Sequence, residues 1–244
     1  MYFKLSEINN GLDMKNIAII PARSGSKGLK DKNIKRLANK PLLAYSIEAA
    51  IESKLFDEIM VSTDSEAYAE ISTDFGANVP FLRSASNSGD KSSSWDTVIE
   101  VLNNYAKIGK KYDTVCLLQP TSPLRTADDI IGAYEVLKQK SANAVTSVCE
   151  VDYPPIWNMI LPEDNSLEEF KKQDEDCPRQ QLPTYHRLNG AIYIRKIAYE
   201  NNQAKIIDTN EFAFIMPKEH SVDIDTDMDF KIAEVLATDN RPIE

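Results

Sequence analysis

Histidine is almost absent from this chain: His186 and His220 are the whole complement of 244 residues. Zinc chemistry and a His-based triad therefore have little to draw on. Cysteine is scarce too. Cys116, Cys149 and Cys177 are odd in number and show no Cys-x-x-Cys spacing, which argues against a disulfide framework and fits a reducing cytoplasm. Cys116 and Cys149 sit in apolar runs, where a small buried thiol is expected. No apolar run approaches the roughly 20 residues needed to span a bilayer, so no membrane partner is expected. Residues 1–13 lack the apolar core of a signal peptide and read as an N-terminal extension. Basic residues are outnumbered, 28 Lys and Arg against 38 Asp and Glu, for a net charge of -10. No broad basic face is visible, which argues against nucleic acid. Of the eight glycines, none falls in a Gly-x-x-x-x-Gly-Lys-Ser/Thr or Gly-x-Gly-x-x-Gly pattern, so P-loop and dinucleotide readings lose their main support.

What is present is a local concentration of positive charge. Arg23, Lys27, Lys30, Lys32, Lys35 and Arg36 fall within fourteen residues, beside Gly25 and Gly28. This stretch directly follows the short apolar run 17–20, which reads as a buried strand. A buried strand running into a basic, Gly-containing loop suits a polyphosphate: backbone N–H groups converge on anionic oxygens and cations neutralise the rest. A surface turn that is merely basic is the plainer alternative.

Apolar strand candidates then alternate with amphipathic helix candidates. Strands are expected at 58–62, 78–82, 114–118 and 144–149, and helices at 42–53, 66–75, 97–107 and from Thr126 to about residue 140. Ser92, Ser93 and Ser94 are possible N-caps for the third helix. This order predicts an α/β fold, a mostly parallel doubly wound sheet with a Rossmann-like nucleotide site. The pattern breaks over 152–187, which holds Pro154, Pro155, Pro162, Pro178 and Pro183. It reads as an excursion from the sheet, a protruding dimerisation arm or lid, with a solvated insertion as the alternative. Order resumes at 190–194 and 212–216, and a last helix is expected over 227–237. A single domain over 14–240 results.

Three further motifs carry chemistry. If 221–225 is extended, Asp223 and Asp225 project to one side, and two hard oxygen ligands on one face suit Mg2+. Asp227 and Asp229 instead favour the start of the last helix, with Thr226 as its cap. The turn from Leu118 to Arg125 ends a buried strand and is stiffened by Pro120 and Pro123, which would fix Gln119 and Ser122 as a substrate wall. Arg179 and Arg187, near Tyr185 and His186, are natural partners for a carboxylate.

Taken together, the set resembles the CMP-sialic acid synthetases, or acylneuraminate cytidylyltransferases. The pieces are Ile20-Pro21-Ala22-Arg23, Ser26-Lys27-Gly28, Lys32-Asn33, Val61-Ser62-Thr63-Asp64, Leu118 to Arg125, Pro178 to Pro183, Asn189-Gly190-Ala191-Ile192-Tyr193 and Asp223-Ile224-Asp225-Thr226. They occur in family order. The resemblance implies that CTP and a nine-carbon 2-keto-3-deoxy acid sugar give the CMP-sugar and pyrophosphate, the C2 hydroxyl attacking the α-phosphate. It implies catalytic roles for Arg23, Lys27, Asp223 and Asp225. Nucleotide contacts are implied at Ala22, Lys32 and Asn33, and cytidine reading at Arg83 and Ser94, with Ser92 and Ser93 as rivals. Gln119, Arg179 and Arg187 fall in the sugar-acid site. Asp223 and Asp225 would hold Mg2+, or Mn2+ in its place, and the family forms homodimers through the 152–187 region. The acceptor of the C2 hydroxyl proton is left open.

One departure concerns the sugar. The sialic acid enzymes tend to carry a lysine near Pro154, close to the sugar carboxylate, whereas here no basic residue occurs from Tyr153 until Lys171. A legionaminic or pseudaminic acid therefore stands beside N-acetylneuraminic acid. KDO cytidylyltransferases, sugar-1-phosphate nucleotidyltransferases and a non-catalytic nucleotide-binding protein on the same fold are the alternatives. The motifs differ from the first, the second favours a longer glycine-rich loop, and the third would be expected to lose the Asp pair or the loop lysines.

Overall fold

Strand β1, Asn16–Pro21, takes an interior place in the sheet because it is apolar on both faces. Ile17 and Ile19 pack on one side, and Ala18 and Ile20 on the other. Fully burying each isoleucine is worth about 1.5–3 kcal/mol. The computed structural model describes residues 14–25, 29–89, 93–168 and 181–238. The expectations placed on residues 1–13, Ser26, Lys27, Gly28, Ser92, Cys177, Pro178 and Arg179 lie outside them.

A two-residue hairpin follows the basic loop, β2 at Arg36–Leu37 and β3 at Lys40–Pro41, and leads into α1, Leu42–Ser53. Next come β4, Glu58–Ser62, α2, Glu66–Asp74, and α3, Ser94–Lys107. Then follow β5, Thr114–Leu118, α4, Ala127–Gln139, and β6, Ala144–Glu150. The last third supplies β7, His186–Glu200, β8, Gln203–Ile207, β9, Glu211–Ile215, and α5, Asp227–Thr238. Polar caps fix several helix starts. Ser93 with Asp96, and Thr126 with Asp129, form reciprocal capping boxes. Thr226 and Asp229 exchange the same bonds ahead of α5.

The sheet order is β4-β1-β5-β7-β6-β9, with β8 paired to β7. β1 is parallel to both β4 and β5, and β6 to β9, while β7 runs against β5, β6 and β8. The other strands thus share one direction, and the sheet is mostly parallel as expected. α1, α2 and α4 cover one face, through Ile47, Tyr68 and Ile130 among others. α3 covers the opposite face through Val98, Val101 and Leu102. The chain moves outward from β1 to β4 and then crosses back to β5, so the crevice at the carboxyl ends of β1 and β5 lies at a change of direction, where open α/β sheets bind ligands.

Three expectations are corrected. The strand anticipated at 190–194 is fifteen residues long, from His186 to Glu200, and takes in Arg187, so the excursion from the sheet ends sooner than residue 187. Its length follows from pairing with three partners along its course, which no local pattern reveals. The segment 78–82 makes only an isolated bridge, Asn78 to Met60, because the chain turns away toward α3. β8 was not anticipated. In the excursion itself the described residues hold one short 3-10 turn, Pro155–Trp157.

Candidate active site

The reversed course of β7 brings its first residues to the edge where the parallel strands end. Leu118, last in β5, pairs with Ile192. Beyond that pair the two strands part. β7 then bulges: Thr146 pairs with Tyr193 but Val148 pairs with Leu188, so Ser147 faces the loop of residues 189–192. Gly190 sits in this bulge at φ +77°, and a Cβ there would lie 3.4 Å from Asp223 Oδ2 and 3.5 Å from Gln119 Oε1. Both distances are ordinary van der Waals contacts, so it is the backbone conformation, which only glycine adopts without strain, that calls for glycine here.

The bulge is held by buried polar groups. Ser147 Oγ donates to Asn189 Oδ1 at 2.6 Å and accepts from the Ile192 amide at 2.8 Å. Asn189 Nδ2 donates to Ser221 Oγ at 2.9 Å, tying β7 to the segment that carries the aspartates. The Ile224 amide donates to the Thr121 carbonyl at 2.8 Å. Ile224 is fully buried among Leu29, Leu37, Leu42 and Phe230, while Asp225 stands out to solvent. Asp223 and Asp225 flank this buried residue, but 221–225 forms no strand, so the extended geometry on which the period-two reading depended is not present.

Lys32 completes this side. Its Nζ donates to the Ile224 carbonyl at 2.6 Å and lies 3.2 Å from Asp225 Oδ1. Asp223 is half-buried, and burial raises its carboxyl pKa above the usual aspartate range, with Asp225 adding to the rise. A hydrogen bond from Thr121 and the charges of Lys32 and Arg187 act the other way. Asp223 Oδ1 is buried and has no hydrogen-bond partner among the described residues. A lone acceptor oxygen beside a second carboxylate has the chemistry of a site for a hard cation. Arg187 Nη2 donates to the Ser221 carbonyl at 3.3 Å.

On the other side of β1, Asn33 is buried and its amide donates to the Arg23 carbonyl at 3.0 Å, bracing the basic loop. The Ala22 amide donates to the Ser62 carbonyl. Asp64 accepts from the Ser24 amide at 2.7 Å and from its hydroxyl at 3.1 Å. Arg23 Nη1 reaches the Ser88 carbonyl at 3.2 Å. Arg83 donates to Ser62 through Nε and Nη2, and burial lowers its pKa. Ser93 is the N-cap of α3, its hydroxyl accepting from the Asp96 amide, and Ser94 is the first helical residue.

The structure thus gathers Lys32, Gln119, Arg187, Asp223 and Asp225 around the β5–β7 edge, and Ala22, Arg23, Asn33 and Arg83 around the β1–β4 edge. Sequence reasoning gave no role to Arg125, Asn189, Ser147 or Asp64. Arg125, Asn189 and Asp64 lay inside quoted motifs, but nothing in a single sequence marks a polar residue as buried.

A mostly parallel sheet with cations and paired carboxylates at its carboxyl edge is the frame of a nucleotidyltransferase. Two solved proteins share the fold. One is a CMP:2-keto-3-deoxy-manno-octonic acid synthetase complexed with CTP, with TM-score 0.63, 16% identity, and 91% of this chain and 98% of that one covered. The other is the 4-diphosphocytidyl-2C-methyl-D-erythritol synthase of Anaerococcus prevotii, with TM-score 0.62, 12% identity, and coverage of 93% and 99%. The chain belongs to the cytidylyltransferase family, whose model matches residues 17–205, and within it to the acylneuraminate type that its motifs resemble. The N-acylneuraminate cytidylyltransferase of Escherichia coli is 39% identical over 90% of this chain, which spans only 51% of that protein's length. The CMP-N,N'-diacetyllegionaminic acid synthase of Legionella pneumophila is 38% identical over 91% of this chain and 96% of its own length. The pseudaminic acid cytidylyltransferase of Campylobacter jejuni is 35% identical with the same coverage. The octonic-acid synthetase, at 16%, shares the fold alone.

Proposed function

We propose that this protein joins CTP to a nonulosonic acid, forming the CMP-sugar and releasing pyrophosphate. The observation that carries the reading is the edge formed by Lys32, Gln119, Gly190, Asp223 and Asp225 at the carboxyl end of β5, in a chain of this family. The basic loop and Arg23 receive the triphosphate, and Arg83 and the start of α3 face the base. Gln119 and Arg187 hold the acid sugar with its C2 hydroxyl toward the α-phosphate. Positioning and charge neutralisation supply most of the rate in such a transfer. Asp223 and Asp225 fit Mg2+, or Mn2+, which when bound neutralises charge developing on the phosphates. Lys32, held between Ile224 and Asp225, keeps the two carboxylates in register with the basic loop.

The reading extends to the assembly. Trp157, Met159, Ile160 and Leu161 are exposed, Ile160 almost completely. On the sheet face opposite α4, a groove of about 370 Å3 is lined by Thr146, Val148, Leu188, Tyr193, Arg195 and Glu211. Both features suit a homodimer in which the arm of one subunit covers the other's sugar site. Among the described residues no helix is long and apolar enough to cross a membrane. The free buried thiols Cys116 and Cys149 accord with a cytoplasmic enzyme.

Pyrophosphate release tests the reading. It is expected with CTP and a divalent cation, to be weak with the other three nucleoside triphosphates, and to vanish in EDTA. Full activity in EDTA rejects the cation assignment. Comparing kcat/KM for N-acetylneuraminic, N,N'-diacetyllegionaminic, pseudaminic and KDO acids selects the sugar. Preference for KDO by tenfold or more would reject the nonulosonic class.

A further inference from the structure

Arg125 is a cation in an unusual place. Its side chain is 2% exposed, and among the described residues no carboxylate lies within ion-pair distance. Nη1 donates to the Ala191 carbonyl at 3.0 Å and, at 3.4 Å, to the Gln119 carbonyl. Nη2 donates to Ser46 Oγ on α1 at 2.6 Å, and that hydroxyl lies 3.4 Å from the same Gln119 carbonyl. Nε has no partner.

The location of these bonds gives them meaning. The β5–β7 ladder ends at the pair Leu118 and Ile192. The residue that follows β5 is Gln119, and the residue before Ile192 on β7 is Ala191. Their carbonyls do not pair with each other's strand; the guanidinium bonds both and stands between them. It therefore spreads the two strands at the point where Gln119 and Asp223 face Gly190. Burying an unpaired charge is a poor way to gain stability, since an apolar side chain of similar volume fills such a space without the desolvation cost. A planar fork that reaches three acceptors on three elements fixes a separation that an apolar residue does not.

We infer that Arg125 is a positioning residue for the acid-sugar half of the site, setting the distance between Gln119 and the Gly190 bulge. This rests on the reading of that edge as the sugar site. The charge alone does not perform the role. Lysine keeps the charge but places one donor centre where arginine places a fork.

The experiment compares the full chain with Arg125→Lys, Arg125→Met and Ser46→Ala, following pyrophosphate release. The acid used is whichever of N-acetylneuraminic, N,N'-diacetyllegionaminic and pseudaminic acids the wild-type chain turns over fastest. Each substrate is varied at saturation of the other, and thermal unfolding is recorded alongside. A misplacement of roughly 1 Å can cost about 100-fold in rate, and because the displaced groups are those that hold the acid, both Arg125 variants are expected to raise KM for the acid at least about tenfold, leaving KM for CTP within about twofold. Ser46→Ala, which removes one small hydroxyl and one acceptor, is expected to raise KM for the acid about threefold, again with KM for CTP unchanged. A wild-type ratio of the two KM values in Arg125→Lys overturns the inference, as does a parallel rise of both. If neither Arg125 variant folds, Ser46→Ala decides, and an unchanged KM for the acid overturns it. A wild-type chain inactive with all three acids overturns the proposed function and this inference together, whereas active wild type with unshifted variants overturns the inference alone.

Discussion

Gly190 and Asp223 face each other so closely that a methyl group on the glycine would stand 3.4 Å from the Asp223 Oδ2 oxygen. The glycine's φ of +77° adds a second constraint. Gly190→Ala is expected to destabilise the fold by about 1–2 kcal/mol, the cost of a left-handed backbone for an L-residue. The methyl itself would rest in ordinary van der Waals contact with Asp223 and Gln119, so the effect runs through the strained backbone: a bulge relaxing by roughly 1 Å misplaces the groups facing it, and kcat/KM is expected to fall by up to about 100-fold. Denaturant unfolding and steady-state assay of the same sample separate the two.

Asp223 is held above the usual aspartate pKa, with burial the main cause. A raised carboxyl pKa means that the ionised form is disfavoured in the folded state, so the destabilisation is present at neutral pH. It disappears once the pH falls through the raised folded value to below about 3.9, the value in unfolded chains. Asp223→Asn is therefore expected to unfold at a higher temperature than wild type at pH 7 without added metal, while losing activity. The gap narrows as the buffer is made acidic. Equal midpoints at pH 7 would remove the argument.

Arg187 is exposed at the start of β7, where it reaches the Ser221 carbonyl. Arg187→Ala is expected to raise KM for the acid sugar far more than KM for CTP. An exposed charge pair is worth roughly 0.2–1 kcal/mol and a buried one roughly 2–5, so the size of the rise reports how far the site closes over the bound acid. A parallel change in both constants would place Arg187 outside the sugar site.

Ile160 is 97% exposed on the arm. Ile160→Asp is expected to shift light-scattering mass at micromolar concentration from dimer to monomer and to lower activity with it. A fully active monomer of the unaltered chain would contradict the proposed assembly.

Much of this could be read from local pattern. β1, α1, β4, α3, β5, α4, β6 and α5 lie within a few residues of their expected positions, because each carries its own apolar periodicity and several carry their own caps. The course of β7 could not be read, since pairing with β5, β6 and β8 involves residues far away in the chain. The same holds for the site. Asp223 and Asp225 were singled out by their spacing, although the strand which that reading assumed does not form over 221–225. Arg125 was not, because an arginine in sequence looks like a surface residue until the chain closes over it. Asn33 reads as a ligand contact in sequence, yet its side-chain amide braces the Arg23 carbonyl.

The placement of β7 also bears on how the chain is made. It lies between β5 and β6, both of which are synthesised before it. Until residues 186–200 leave the ribosome, those two strands have unpaired edges facing a gap. Open strand edges on a partly folded chain are templates for aggregation. Inserting β7 closes the gap and, in the same event, brings Arg187, Asn189 and Gly190 to the carboxyl end of β5. Chains ending before β7 are accordingly expected to aggregate more readily than the full chain, and this candidate edge is among the last parts of the molecule to be built.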